Sequence, residues 1–162
     1  MGIINKDMRD VVSRSMLSFV ATVCPDGSPN LSPKSSLRVF DDNTIVFMDI
    51  ASPQTVANLR FDPRIEINSI DFIRRRGYRF KGKAHIEQPG STIFEWLNDW
   101  LIKINGPGYP ANRAIVVNVE RALPVLSPAY SWGNITEEEL TLAWAERYLE
   151  VEGLSTDNLR MY

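Results

Sequence analysis

The segment SFVATVCPDGSPNLSPK, residues 18–34, carries the strongest structural signal in this 162-residue chain. Its first six residues are mostly β-branched or aromatic, a composition that favours a strand. The pair Asp26-Gly27 follows, and glycine readily adopts the positive φ angles that tight bends require. A second strand is predicted over residues 31–40, so the segment begins an antiparallel hairpin.

Six strands are predicted along the chain. Short turns separate the first three, which predicts an antiparallel meander. The fifth strand contains Gly82, which indicates a bulge or a close approach of two backbones. A sheet of this size has to protect its edges, so we expect a closed or nearly closed barrel. The predicted strands span residues 18–23, 31–40, 44–49, 64–70, 76–87 and 114–119.

Four helices are predicted from apolar spacing and from capping residues. Ser52 and Pro53 fit the N-cap and the first helical position of the second helix, and Thr136 fits the N-cap of the last. The third helix has the clearest apolar stripe. That stripe consists of Ile93, Trp96, Leu97, Trp100, Leu101 and Ile104. The predicted helices span residues 4–16, 52–60, 91–104 and 136–150.

Composition predicts one soluble domain over residues 1–162, with a helical C-terminal segment from about residue 134. The hydrophobic share of 44% and the charged share of 23% are usual for a folded protein. The net charge of -2 argues against a general binder of nucleic acid or of anionic membranes. The charged N-terminus and the lack of about 20 consecutive apolar residues argue against a signal peptide and a membrane span, so we expect a cytoplasmic protein.

Cys24 and His85 are each the only residue of their type. A single cysteine excludes an internal disulfide, and one cysteine with one histidine is too few for a zinc cluster, so no metal is expected. A nucleophilic Cys24–His85 pair is conceivable, but a lone cysteine beside a turn is usually structural. We therefore assign no catalytic residue.

Three segments have the chemistry of an anion site. A helix beginning with Ser52-Pro53-Gln54-Thr55 leaves backbone N–H groups free for a phosphate, although an ordinary capped helix explains the same residues. Lys34 is flanked by the hydroxyls of Ser32, Ser35 and Ser36, and it is either an anion-binding residue or an exposed lysine. The run Arg74-Arg75-Arg76 indicates either a nearby anionic ligand or a solvated hairpin.

The chain resembles the FMN-binding split-barrel family typified by pyridoxamine 5'-phosphate oxidase. The order and spacing of several motifs carry the resemblance, which covers about residues 15–88. The matching motifs are FVATV (19–23), DGSP (26–29), LSPK (31–34), VFMD (46–49), NLR (58–60), DPRI (62–65) and FKGKA (80–84).

The resemblance implies a mainly β protein with flanking helices, built on a six-stranded antiparallel split β-barrel. It also implies a homodimer that holds FMN at its interface, and a flavin-dependent oxidoreductase acting on a small molecule. Two alternatives stay open. One is a non-catalytic flavin carrier or sensor, and the other is the same barrel with a deazaflavin or with haem, for which His85 is the sole histidine ligand.

By position, the resemblance places the flavin phosphate at the helix after residue 52 and the ring against the second and third predicted strands. Tyr130 and Trp132 are either aromatic residues that stack on a ring in the partner subunit or ordinary packing residues. The implied cofactor-binding residues are Ser32, Pro33, Lys34, Ser35, Ser36, Met48, Asp49, Ser52, Gln54, Thr55, Arg76, Tyr130 and Trp132.

The sequence departs from the family's oxidase at two places. Gln54 and Thr55 stand where the oxidase has an Arg-Lys pair at the phosphate, so neutral groups replace charge-assisted ones. Lys34, Arg38, Arg76 or the N-terminus of the helix would have to compensate for the lost charges; without compensation we expect weaker FMN binding or a different cofactor such as a deazaflavin. Residues 129–162 also lack a counterpart of the oxidase's substrate-binding segment, so a role in making pyridoxal phosphate is not expected.

Overall fold

The computed structural model describes residues 2–153. Within that range, seven strands form one sheet and five helices pack around it. The strands are β1 (Ser18–Val23), β2 (Pro29–Lys34), β3 (Arg38–Val39), β4 (Thr44–Asp49), β5 (Arg64–Asp71), β6 (Arg76–Glu87) and β7 (Arg113–Leu126). The helices are α1 (Lys6–Arg14), α2 (Pro53–Phe61), α3 (Thr92–Asn105), α4 (Ala129–Trp132) and α5 (Glu137–Val151).

The two edge strands of the sheet are β2 and β3, although only residues 35–37 separate them in sequence. The strand order is β2-β1-β5-β6-β7-β4-β3, and every neighbouring pair is antiparallel. The four Cα–Cα steps from Lys34 to Arg38 span at most about 14 Å. The edges therefore lie close together and the sheet curls into a split barrel, which confirms the predicted fold class.

The predicted count of six strands and the initial meander are wrong. The predicted second strand is broken at residues 35–37, and its halves pair with different neighbours, β2 with β1 and β3 with β4. The break has a packing cause, because Leu37 turns into the core and the Ser36 hydroxyl accepts a hydrogen bond of 3.0 Å from the Met48 N–H. The chain thus crosses to the opposite edge of the sheet.

The core has two parts that share β4. One face of β4 places Ile45 and Phe47 inside the barrel, which α2 closes at one end with Val56 and Leu59. The other face contributes to a second cluster against α3. Its buried members are Val46, Met48, Phe94, Leu97, Leu101, Ala114 and Val116. Because both faces are covered, all six residues of β4 are buried.

The predicted apolar stripe of α3 is only partly correct. Leu97 and Leu101 are fully buried, together with Phe94, which the stripe did not include. Trp96 is 41% exposed and Ile104 is 62% exposed, so the buried face is narrower than the sequence indicates. The reason is that α3 covers one side of two strands only, so part of its apolar surface has no strand beneath it.

Most other predicted elements occur at nearly the predicted positions. The fifth predicted strand coincides with β6, and α2 starts at Pro53 directly after Ser52. The last strand is longer than predicted, because β7 continues to Leu126 beside β6. Thr136 and Glu139 form a capping box at the start of α5, as the sequence suggests. The C-terminal prediction also covers residues 154–162, which lie outside the described residues.

An ionic network ties α1 and α5 to β6. The Arg76 guanidinium donates to both carboxylate oxygens of Asp7, at 2.9 and 2.8 Å, and to Glu137 at 2.5 Å. The Tyr78 hydroxyl donates to Asp7 at 2.6 Å. The hydrogen bonds from Arg76 and then from Tyr78 lower the pKa of Asp7 to about 2.

None of the helices within residues 2–153 combines the length and the apolar character needed to cross a membrane.

Gly82 lies at a bulge where the β6–β7 register shifts, which confirms the role predicted for it. A Cβ at this position would lie 2.1 Å from the Asn118 carbonyl oxygen, so backbone would have to move. Gly82→Ala is expected to lower the free energy of unfolding by more than about 2 kcal/mol. The control is Gly27→Ala, whose Cβ meets open space and whose positive φ of 84° costs about 1 kcal/mol. Equal losses in urea unfolding would contradict the close approach.

Asp7→Asn is expected to lower the free energy of unfolding at pH 7 by about 1 kcal/mol, after allowance for solvent screening. The pKa of Asp7 is below its ordinary value of 3.8 in the folded chain, so its stabilisation is present above pH 4. It is lost as the pH falls from there towards about 2. The difference between the two proteins should therefore shrink from pH 5 to pH 3 in urea unfolding.

Asp10→Asn is the matched control, because Asp10 lies on the same helix and, among residues 2–153, pairs only with the exposed Lys6 at 3.5 Å. We expect a change of at most a few tenths of a kcal/mol, about that of an exposed helical ion pair. A pH-independent loss in Asp7→Asn would show that the ionised carboxylate is not the cause.

Candidate functional site

A cleft of about 280 Å³ opens where the end of β2, the end of β4 and the start of α2 meet. We call it the Lys34 cleft. It is lined by Ser32, Pro33, Lys34, Ser35, Ser36, Met48, Ile50, Ala51 and Ser52. Seven of these nine residues were predicted as cofactor-binding from the sequence, and Ile50 and Ala51 were not.

Lys34 is buried, at 6% relative exposure, so the alternative of an exposed lysine is wrong. Its ammonium donates to the Ser32 hydroxyl and, at 3.1 Å, to the Pro33 carbonyl oxygen, which uses two of its three N–H bonds. Among the described residues, no carboxylate lies within salt-bridge distance of it. Burial lowers the pKa of Lys34, and the charge of Asp49 opposes this shift. The cleft therefore contains a buried cation without a paired anion.

Asp49 organises the start of α2. Its side chain is 4% exposed; one oxygen accepts from the Ser52 N–H at 3.2 Å and the other from Arg113 at 3.0 Å. Asp49 and Arg113 are directly opposite each other in the β4–β7 ladder, so strand pairing brings the two charges together. Asp49 was predicted to contact the cofactor, and in this structure it contacts the residues around the cleft.

The first turn of α2 has the open amides that the sequence predicts. Pro53 has no N–H, and the first N–H of the helix that bonds within it is that of Val56, to the Ser52 carbonyl at 3.1 Å. Within the described chain, the Ser52 hydroxyl caps none of these amides. The ordinary capped helix is thus not the arrangement found. The N–H groups of Gln54 and Thr55 remain for a ligand or water.

The side chains of these two residues are used differently. The Gln54 amide donates to Asn58 at 2.7 Å, one helical turn further on, so its predicted contact to a ligand competes with a bond inside α2. Thr55 is 2% exposed and packs inward. Neither residue is among those that line the Lys34 cleft.

Arg38 lies next to the crossing between β2 and β3. Its guanidinium stacks on the Trp100 ring, 3.6 Å from the ring centre, and donates to the carbonyl oxygens of Ser35 and Leu37. Burial lowers the pKa of Arg38. Arg38 is not among the residues that line the cleft, but it binds the backbone of Ser35, which is.

Six predicted residues are not among those that line the Lys34 cleft: Asp49, Gln54 and Thr55, described above, and Arg76, Tyr130 and Trp132. Arg76 is engaged by Asp7 and Glu137 in the network described above. The Tyr130 hydroxyl donates to the Arg74 carbonyl oxygen at 2.5 Å, and Trp132 is 88% exposed. Arg74 itself pairs with Asp71 and Glu137. Two members of the arginine run therefore bind carboxylates of this chain.

Cys24 and His85 are not hydrogen-bonded to each other. The Cys24 sulfur accepts from the Asn58 amide at 3.4 Å, and His85 lies 3.3 Å from Glu87, away from the residues that line the cleft. Within residues 2–153, no group of three or more side chains is placed to hold a metal ion. Neither residue brings chemistry to the Lys34 cleft.

Comparison with known proteins places the fold. The family described as pyridoxamine 5'-phosphate oxidase matches residues 4–125. The HupZ protein of Group A Streptococcus is 34% identical, with a TM-score of 0.67 over 76% of this chain and 95% of its own. No curated protein matches the chain.

Two more distant structures share the fold. An FMN-binding protein of Syntrophomonas wolfei subsp. wolfei is 17% identical, with a TM-score of 0.62 over 75% of this chain and 90% of its own. An F420 reductase is 22% identical, with a TM-score of 0.58 over 74% of this chain and 98% of its own. With three quarters of its length matched, the chain belongs to the pyridoxamine 5'-phosphate oxidase family.

Proposed function

We propose that the chain binds FMN in the Lys34 cleft and acts as a flavin-dependent oxidoreductase on a small molecule. The observation that carries this proposal is the buried ammonium of Lys34, which has no paired carboxylate among the described residues. A cation held in this way is costly unless an anion or a polar ligand satisfies it. A flavin phosphate or an electron-rich ring edge meets that requirement.

The residues of the cleft fit the two halves of a flavin mononucleotide. The free amides at the start of α2 and the Lys34 ammonium suit the phosphate or the polar ring edge. Met48, Ile50 and Ala51 give the cleft an apolar wall suited to a flat ring. The FMN-binding protein of S. wolfei has the same fold, which supports this assignment without fixing the contacts.

When bound, FMN supplies hydride and electron transfer, so the protein has to supply binding, orientation and control of solvent access. This division of roles agrees with the lining of the cleft, which within the described residues contains no histidine, cysteine or carboxylate. A non-catalytic carrier would share every one of these features. Reduction of the loaded protein followed by a screen of electron acceptors separates them, because a carrier passes electrons to none.

A deazaflavin is the second candidate, and one observation favours it. The Gln54 side chain bonds to Asn58, so the first turn of α2 offers neutral donors where a phosphate monoester dianion would be held best by cations. The F420 reductase with the same fold supports this alternative. The absorption spectrum of the purified protein distinguishes the two cofactors.

We also propose that a second copy of the chain completes the site. Ligand pockets usually measure about 300–1,000 Å³, and the Lys34 cleft of about 280 Å³ is small for a flavin. An apolar strip lies beside it on the outer face of the sheet, where Leu31 is 65% exposed next to Ala21. Covering this strip with a second chain would bury apolar area and add the missing wall.

The first test of the function is an FMN titration of the wild-type protein and of Lys34→Met, in which flavin fluorescence reports binding. Loss of one charge-assisted contact is expected to raise the dissociation constant about tenfold or more. Lys83→Met is the control, because Lys83 is an exposed lysine on β6 that pairs weakly with Glu120 at 3.8 Å. A wild-type protein that binds no flavin would exclude the proposal.

Sedimentation equilibrium tests the dimer. Leu31→Glu is expected to shift the protein from dimer to monomer and to weaken flavin binding with it, because a charge is placed on the strip. Ile104→Glu, at 62% exposure on α3, is the control and should leave the dimer intact. A wild-type monomer at concentrations well above those used for flavin binding would contradict this part of the proposal.

A further inference from the structure

We propose that Arg113 is a phosphate-binding residue of this site, held in place by Asp49 at the start of α2. This inference rests on the proposed flavin site and extends it to the group that carries the second positive charge. No motif in the sequence marks Arg113, which stands at the first position of β7.

The starting point is a conflict of charges. A phosphate bound at the first turn of α2 would lie near the Asp49 carboxylate, since one of its oxygens is 3.2 Å from the Ser52 nitrogen. A phosphate and a carboxylate that lie close together repel each other, most strongly where burial excludes water. The site can hold a phosphate only if the charge of Asp49 is compensated.

Arg113 provides that compensation. Its guanidinium donates to the other Asp49 oxygen at 3.0 Å. A guanidinium has five N–H bonds, so donors remain after this contact. The side chain is 33% exposed, whereas that of Asp49 is 4% exposed, so the part of Arg113 not bound to Asp49 reaches solvent. The same carboxylate accepts from the Ser52 N–H directly before α2, which links Arg113 to the start of that helix through Asp49. One arginine can therefore neutralise the carboxylate and still present N–H groups to an anion.

The backbone fixes this arrangement before any ligand arrives. Asp49 and Arg113 are directly opposite each other in the β4–β7 ladder. The neighbouring Asn112 adds two bonds, from its N–H to the Asp49 carbonyl oxygen and from its side chain to the Ile50 carbonyl oxygen, both at 3.0 Å. Ile50 lines the cleft, so Arg113 is anchored to one of its walls.

Lys34 is independent evidence that this site binds an anion. It is buried in the same cleft with one N–H bond unused among the described residues, and the charge of Asp49 acts on its pKa. Two cations thus lie near a single carboxylate at the start of α2. We assign the phosphate to Arg113 together with the α2 amides.

Comparison of FMN with riboflavin tests this assignment, because riboflavin has the same ring without the phosphate. Arg113→Met is expected to weaken FMN binding about ten- to a hundredfold, as for a lost bond to a charged group, and to change riboflavin binding by less than about threefold. Arg113→Lys should recover part of the FMN affinity. Arg121→Met, on the exposed part of β7, is the control and should change neither.

Removing Arg113 leaves Asp49 buried without its partner, which can unfold the protein. The same comparison is therefore also made in an Asp49→Asn background, with and without Arg113→Met, where no buried charge is stranded. Selective loss of FMN binding is expected there as well.

Equal loss of FMN and riboflavin in both backgrounds would show that Arg113 is only structural, and unchanged FMN binding would show that it does not contact the phosphate. Either result overturns the inference and leaves the flavin site standing. A wild-type protein that binds neither flavin overturns both.

Discussion

The hydrogen bond from the Met48 N–H to the Ser36 hydroxyl holds the point at which the chain crosses between the two edges of the sheet. Beside it, Leu37 is buried in the barrel and Arg38 is stacked on Trp100. Because the crossing is so short, it keeps the end of β2 against the end of β4. The Lys34 cleft exists only because these two strand ends and the start of α2 are held together.

The electrostatics of the cleft follow from the same geometry. Lys34 comes from an edge strand, while Asp49 and Arg113 come from two paired strands on the other side of the split. Burying each of these charges costs solvation free energy. The Arg113 guanidinium compensates the Asp49 carboxylate through a direct hydrogen bond. Among the described residues, the partners of the Lys34 ammonium are uncharged: two oxygens and the Phe47 ring, 5.9 Å from its centre. The protein therefore keeps the positive charge of Lys34 in a cleft from which water is partly excluded. This arrangement is energetically costly unless an anionic or polar ligand binds the ammonium.

The strands were predictable wherever local composition determines them. The alternating residues of β5 and the long β6 with Gly82 are examples, since period-two burial and a glycine at a bulge leave clear marks in sequence. The crossing at residues 35–37 was not predictable, because serines in a turn look alike whichever strand the chain joins next. Strand order depends on pairing between distant segments, and a single sequence does not contain it.

The same distinction applies to the site. Lys34 and its serines could be predicted to lie together because they are neighbours in sequence, and the start of α2 could be predicted because Ser52-Pro53 is a local signal. Arg113 was missed, since its link to Asp49 joins residues 64 positions apart through the sheet. Arg76 was assigned to the cofactor because a run of arginines looks the same whether it meets a ligand or, as here, carboxylates of its own chain.

The contacts that attach α5 to the barrel determine how easily this helix unfolds locally. Only Leu140 of this helix is fully buried, and much of its polar attachment comes from the ion pairs of Glu137 and the stacking of Arg75 on Trp144. Such contacts are weakened by salt and bury little apolar area. The helix can therefore detach in a local fluctuation while the barrel remains folded, so its amides exchange with solvent well before those of β4.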